Sequence, residues 1–412
     1  MAKSATLDPG AHALRYWMLG LMTGAQASAS IVQQGLGSLA PFIVAAFALS
    51  KAQLGLLFMA MQIGSAFVTT PSGVLVDRFG ERRVVLWSGA VMGGALVLAA
   101  LLPIYAWFAA WMFVFGMAYA PTTPAGGRAI LGWFQRDRGL AMGIRQTGVP
   151  AGGLLGAITL PLLATAFGYR WALVAGAAVT IGVSAGAAFW YRDPPSAGQA
   201  AVRATWHDLT LGALAIVRDP RAVFMTLACM PLVCAQGAMN AFVAITAVSN
   251  AHVSVHLAAL VFGLGQGCAL LGRLAWGIAS DRIFGGDRVA PIFVISGLAG
   301  AASFGLARVA DHTVILLFVA AALLGFTGAA WNGLFAAAMV EIGGAQRAGS
   351  ALGVALTFIF LAGAAAPPVF GAIADTHSLA AAWDVLGWTA LAAIVPAAFA
   401  RAAMRRAAKE AA

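Results

Sequence analysis

Two arginines, Arg145 and Arg273, stand inside long apolar runs of this chain. A guanidinium at the centre of a membrane span costs about 2.5–3.5 kcal/mol on insertion scales, so such a residue usually marks function. Its planar fork makes two parallel charge-assisted hydrogen bonds to a carboxylate. Arg273 precedes Asp281 by eight residues, which puts it about 12 Å into its helix, near the midplane of a core about 30 Å thick. Gln266, seven residues earlier, shares its helical face, and the pair suggests a polar stripe facing an aqueous cavity. Arg145 is followed on nearly its own face by Gly148, Gly152 and Gly156, a spacing that marks close helix packing. Two roles stay open for it: a second anion-binding arginine, or a packing or gating one. The 14 Asp and Glu residues all fall in tails, loops or near the ends of apolar runs. No deep carboxylate is left for a proton relay or for neutralising a cation, so the expected ligand is a small organic anion held by Arg273.

Several motifs imitate other chemistries. Gly182-Val183-Ser184-Ala185-Gly186 spells a nucleophile elbow, but it lies in an apolar run without the strand, turn, His and acid that the elbow needs. Gly35-Leu36-Gly37-Ser38-Leu39-Ala40 imitates a dinucleotide fingerprint without the preceding strand and reads as a helix-packing segment. His252 and His256 share a helical face with no third ligand near, and are expected as surface residues. Cys229, Cys234 and Cys268 have no paired spacing and are expected as buried thiols. No phosphate loop is present. The expectation is a protein that is not an enzyme, needs no cofactor or metal, and is not driven by ATP.

The arginines must be carried by a membrane-embedded scaffold. The 412 residues are 61% hydrophobic and 9% charged, against about 25% charged in soluble domains, which excludes a soluble globular enzyme. The formal charge is +10, yet the basic residues sit in short clusters between apolar runs. They do not form one face with base-reading partners, so nucleic acid is not an expected partner. Polar breaks predict spans near 16–43, 52–76, 84–103, 106–131, 139–165, 170–190, 221–249, 257–280, 289–309, 313–340, 348–373 and 379–401. The even number puts both tails on one side. With the tails inside, the inner loops and tails hold most of the Lys and Arg, while the outer loops hold Lys51, Arg170 and Arg308. By the positive-inside rule the tails are cytoplasmic, and the expected location is a bacterial cytoplasmic (inner) membrane. Residues 191–220, with Pro194, Pro195 and Trp206, read as a cytoplasmic linker able to lie on the membrane surface as an amphipathic helix.

The chain also repeats itself. Gly73-Val74-Leu75-Val76-Asp77-Arg78-Phe79-Gly80-Glu81-Arg82-Arg83 is echoed by Gly277-Ile278-Ala279-Ser280-Asp281-Arg282, and Arg138-Gly139-Leu140-Ala141-Met142-Gly143 by Arg347-Ala348-Gly349-Ser350-Ala351-Leu352-Gly353. Both echoes are offset by about half the chain, as expected for two related six-span halves. Gly73 to Arg83 resembles the signature loop of the major facilitator superfamily, with a degraded copy at Gly277 to Arg282. The resemblance implies an all-α polytopic membrane protein of twelve transmembrane helices in two pseudo-symmetric six-helix bundles. Residues 1–190 would form the first bundle, 191–220 the linker, and 221–412 the second bundle with a short cytoplasmic tail. In that superfamily the loop aspartate and its arginine partners latch the inner side, which implies gating roles for Gly73, Asp77, Arg78, Gly80, Arg82, Arg83, Arg138, Gly277, Asp281 and Arg282.

Arg273-Leu274-Ala275-Trp276-Gly277 is similar to the eighth-helix segment of monocarboxylate transporters and oxalate:formate antiporters, where the arginine binds a substrate carboxylate. Ala269 departs from the aspartate that monocarboxylate transporters carry one turn before that arginine, and the eleventh span lacks the lysine of the oxalate exchangers. Helices 1, 4, 7 and 10 line the central cavity in the superfamily. The resemblance therefore implies substrate contacts from Gln26, Gln33, Tyr119, Gln236, Asn240, Trp331 and Asn332, beside Arg273, Gln266 and Arg145. The expected protein is a monomeric alternating-access carrier of a mono- or dicarboxylate, by proton symport or anion exchange. The alternatives are a carrier of an inorganic anion such as nitrate or cyanate, a lipophilic-compound efflux carrier, and a transporter-like receptor or scaffold.

Overall fold

The computed structural model describes residues 9–134, 138–192, 216–311 and 313–410. The described elements are helices: α1 Pro9–Phe47, α2 Lys51–Phe79, α3 Glu81–Leu101, α4 Tyr105–Tyr119, α5 Thr122–Trp133, α6 Arg138–Phe167 and α7 Tyr169–Trp190 in the first half. The second half has α8 Pro220–Asn250, α9 Val255–Arg282, α10 Ala290–Ala307, α11 Val314–Gly328, α12 Asn332–Thr376, α13 Leu379–Ala392 and α14 Ile394–Glu410. Eleven helical stretches among the described residues are long and apolar enough to cross a membrane. The twelfth crossing is α4 followed by α5, broken at Pro121, which has no N–H to continue the ladder. The structure is thus an all-α polytopic membrane fold of twelve crossings in two six-helix bundles.

Local chemistry sets the ends of these helices. Ser50 and Gln53 form a reciprocal capping box at the start of α2, and Ser254 and Ser378 cap α9 and α13. The turn between α2 and α3 is a single residue, Gly80, at φ 77°, where any side chain would be strained. The continuous run of α12 is two helices that meet at Gly344, again at positive φ (61°). The break separates the tenth crossing, which is α11 with the start of α12, from the eleventh.

Small residues let backbones touch, as is usual when lipid offers no hydrophobic drive for helix association. Gly148, Gly152 and Gly156 of α6 face the main-chain oxygens of Thr23, Ala27 and Ile31 in α1, and a Cβ at Gly152 would stand 2.2 Å from the Ala27 oxygen. The Ser184 hydroxyl group of the false elbow packs on Gly89 of α3 in the same way.

The halves meet along α1 with α8, α2 with α12, and α6 with α9. Their contacts crowd the side opposite the termini. Gly55 of α2 faces the Pro367 carbonyl, Gly371 of α12 faces that of Lys51, and the Asp375 carboxylate accepts from the Lys51 and Ala52 N–H groups at 2.9 and 2.8 Å. The bundle is thus closed on the side opposite the termini. On the terminal side, Glu81–Arg128, Asp219–Arg221, Asp281–Arg288–Glu341 and Asp287–Arg401 each pair within one half.

Candidate functional site

Polar groups cluster in two layers on the seam between the halves. The layer farther from the termini is a triad. Asn240 of α8 donates through Nδ2 to Gln34 Oε1 of α1 at 2.8 Å and accepts from Gln266 Nε2 of α9 at 2.9 Å. Gly37, three residues past Gln34, brings α1 onto α8: a Cβ there would lie 1.8 Å from the Asn240 carbonyl oxygen. The triad therefore needs both halves in close approach.

About 10 Å toward the termini, seven residues along α9 from Gln266, lies Arg273. Its Nη1 donates to the Gln146 main-chain oxygen of α6 at 3.2 Å, and its Nε to the Ala329 oxygen at 3.4 Å. Ala329 ends α11, so its carbonyl has no intrahelical partner. Arg273 is half-buried, keeps solvent-accessible surface, and forms no carboxylate pair among the described residues.

Arg145 lies across the seam in the first half, and no part of it is exposed (0%). Its Nη2 donates to Gln26 Oε1 at 2.8 Å and to the Thr122 main-chain oxygen at 2.7 Å, and its Nη1 to Gln146 Oε1 at 3.3 Å. Gln26 Nε2 then donates to the Tyr119 hydroxyl at 3.0 Å. Gly126 of α5 makes the room: a Cβ there would stand 2.2 Å from Arg145 Nε. Gln146 joins the two arginines, taking Arg145 on its side chain and Arg273 on its main chain. Two positive charges thus sit at the centre of the bundle with neutral partners among the described residues.

The other expected contacts are distributed as follows. Gln33 and Asn332 are half-buried, with the Gln33 Oε1 and Asn332 Oδ1 atoms unpartnered. Trp331 is 1% exposed, packs edge-on to Phe335, and leaves its indole N–H unpartnered. Gln236 is half-buried. Gln34, Gln146 and Gly126 were not singled out from the sequence. Gln34 is the neighbour of Gln33, and a helical face drawn through Gln26, Ser30 and Gln33 passes it by.

The terminal-side loops carry charged residues in both halves. Gly73, Asp77 and Arg138 are helical, and their surroundings lie outside the described part of the structure. Arg78 covers the Phe79 ring at 5.4 Å, and Arg82 and Arg83 are exposed. At this corner Glu81 pairs with Arg128 at 2.9 Å, and Arg128 also donates to the Val76 oxygen. In the second half Asp281 pairs with Arg288 rather than with its neighbour Arg282, and Arg288 bridges to Glu341 at 2.9 Å. Gly277 faces open space. Asp287 accepts from the Val289 and Ala290 N–H groups at the start of α10 and pairs with Arg401 of α14 at 2.7 Å. Burial alone would raise its carboxyl, but these donors outweigh it and hold the group below the usual carboxylate range. His252 lies in the loop before α9, not on the helix with His256, and faces Asp311. Cys229 is buried, while Cys234 and Cys268 are partly so.

A twelve-crossing bundle with a polar centre, sealed on one face, has the build of a membrane transporter, not of an enzyme. The Major Facilitator Superfamily model matches residues 22–367, and the chain belongs to that superfamily. An uncharacterized MFS-type transporter of Mycobacterium tuberculosis is 31% identical over 94% of this chain and 85% of its own length. A probable sulfoacetate transporter of Cupriavidus necator is 28% identical over 44% of this chain and 42% of its own, and a hexuronate transporter of Bacillus subtilis 30% over 34% of each. The Fujikurins efflux protein of Gibberella fujikuroi is 24% identical over 73% of this chain and 63% of its own. A bacterial homologue of the human lysosomal transporter Spinster, solved in an inward-facing conformation, superposes with a TM-score of 0.77 at 17% identity, covering 95% of this chain and 97% of its own.

Proposed function

We propose that this transporter moves a small organic anion, a mono- or dicarboxylate, by alternating access, as a proton symporter or an anion exchanger. The observation that carries the reading is Arg273: a half-buried guanidinium near the midplane whose partners are two main-chain carbonyls. Carbonyls orient the fork without neutralising its charge, so an entering carboxylate gains two charge-assisted hydrogen bonds. The anions named for two relatives, sulfoacetate and hexuronate, support this class. The efflux relative supports a second reading, a lipophilic cargo. That cargo needs aromatic surface, and Trp331 and Phe335 are each 1% exposed here.

In this proposal Tyr119, Gln33, Gln236, Asn240 and Asn332 surround the anion. The halves 1–190 and 221–412 rock about it, joined by 191–220, with the terminal side cytoplasmic. The Gln34–Asn240–Gln266 triad closes the outer path, and the Asp77 loop and its copy at Asp281 act on the inner one. The test is a thermal-shift screen of the purified protein over mono- and dicarboxylates, sulfoacetate, nitrate, cyanate, amino acids and lipophilic cations, repeated on Arg273→Gln. Stabilisation by organic anions that the variant loses is the expected result. Stabilisation by lipophilic cations that the variant keeps would favour the second reading.

A further inference from the structure

The buried cluster of the first half fixes the direction of a hydrogen-bond chain. A guanidinium carries donors and no acceptor. The Gln26 atom 2.8 Å from Arg145 Nη2 is therefore the amide oxygen, and the atom 3.0 Å from the Tyr119 hydroxyl is the amide nitrogen. Turning the amide over would set N–H against N–H. The Tyr119 oxygen thus accepts from Gln26, and its own proton is left to be donated. Among the described residues no carbonyl or carboxylate takes that proton. The neighbour able to do so is the Ser30 hydroxyl at 3.2 Å, which itself lies 3.4 Å from Gln26 Nε2. Arg145, Gln26 and Ser30 are buried, whereas Tyr119 keeps accessible surface, as Arg273 does. Tyr119 is tied to Arg273 through Gln26, Arg145 and Gln146, whose side chain takes Arg145 and whose main-chain oxygen takes Arg273.

We infer that the Tyr119 hydroxyl is a second donor to the transported anion, and that Arg145 and Gln26 are positioning residues that hold it in the donating direction. The inference rests on the anion reading above. It gives Arg145 a task that needs no contact with cargo: the links from Arg145 to Gln26 and from Gln26 to Tyr119 are both donated in the same direction, which leaves the Tyr119 proton for the anion that Arg273 binds. Gln26→Glu reverses the last link at nearly constant shape. A carboxylate accepts from Arg145 through one oxygen and from Tyr119 through the other, so the Tyr119 proton turns inward.

The experiment labels the five tyrosines with 3-fluorotyrosine, assigns the Tyr119 resonance with Tyr119→Phe, and titrates sodium acetate, sulfoacetate and D-glucuronate against sodium chloride at equal ionic strength. Binding to unlabelled protein is followed by thermal shift. At least one anion is expected to move the Tyr119 resonance in the wild type, and Arg273→Gln to abolish the movement. Tyr119→Phe and Gln26→Glu should each weaken that anion about ten- to hundredfold, the range for a hydrogen bond to a charged group. In the Tyr119→Phe background, Gln26→Glu should add less than about twofold. An equal further loss there would mean that the new carboxylate acts through its charge, and the relay would be overturned. A resonance unmoved by an anion that binds through Arg273 would overturn the role of Tyr119 and leave the anion reading standing. Silence of both readouts toward all three anions would overturn the anion reading and the inference with it. Gln26→Glu gains an ion pair with Arg145, so an unchanged or raised melting temperature without ligand confirms that the variant folds.

Discussion

Gly37 is the tightest inter-half contact, and a side chain there should hold the two halves apart. A Cβ at this position would stand 1.8 Å from the Asn240 carbonyl oxygen, whereas ordinary contact begins near 3.4 Å. The α1–α8 seam must therefore open by about 1.6 Å, the difference between those two distances, before Gly37→Val can be accommodated. Overpacking of this kind costs about 1–3 kcal/mol. Because the clash exists when the seam is closed, the cost falls on one state of the carrier and shifts its population about 5- to 150-fold. The same opening pulls Asn240 from Gln34 and unseals the triad. The assay is double electron–electron resonance between spin labels at Leu102 and His252. Both are exposed on the side opposite the termini, one in each half, and the background has Cys229, Cys234 and Cys268 replaced by Ala. Gly37→Val should lengthen the main distance, while Gly20→Val, on the same helix with nothing within 4 Å of its Cβ, should not. An unchanged distance distribution in a folded Gly37→Val protein would refute the reasoning.

Further outcomes follow from the same geometry. Gly126→Ala places a methyl 2.2 Å from Arg145 Nε and should lower stability by about 1–3 kcal/mol, whereas Gly127→Ala, whose nearest neighbour is Met142 Cε at 3.7 Å, should be neutral; thermal melts in detergent compare them. Asp375→Ala removes two N–H bonds and the Lys51 pairing at the start of α2 and should cost about 1–2 kcal/mol of closure, seen as a longer Leu102–His252 distance. The Asp287 carboxyl is held below its ordinary range, so its stabilisation is present above the unfolded-state value near 3.9 and is lost as the pH falls through the lower folded-state value. Asp287→Ala should lower the melting temperature at neutral pH and flatten the decline of stability below about pH 4. An unaltered acid limb would contradict that assignment.

Much of the scaffold was legible because it depends on local rules. Apolar run length marked the crossings, and the spacing of Gly148, Gly152 and Gly156 marked a close-packing face, which α6 turns toward α1. The fourth crossing was expected unbroken, yet Pro121 splits it, because hydropathy averages over a single missing N–H. Partners distant in sequence were less legible. Asp281 chooses Arg288 over Arg282 because the turn after α9 folds back, and a linear reading favours the adjacent charge. Gln33 and Gln34 differ by about 100° around the helix, and which of them meets Asn240 depends on how α8 lies against α1. Arg145 left two readings open because its surroundings include Gly126 and Thr122 on α5, which no periodicity within α6 can reveal.

The most direct test of the central claim is equilibrium binding, by calorimetry, of the organic anion that stabilises the wild type most, measured for wild type, Arg273→Lys and Arg273→Gln at matched melting temperature. Loss of a charge-assisted fork should weaken the glutamine variant about a hundredfold or more, and the lysine variant less, because an ammonium keeps the charge without the paired geometry. Wild-type affinity in the folded glutamine variant would contradict an anion site at Arg273.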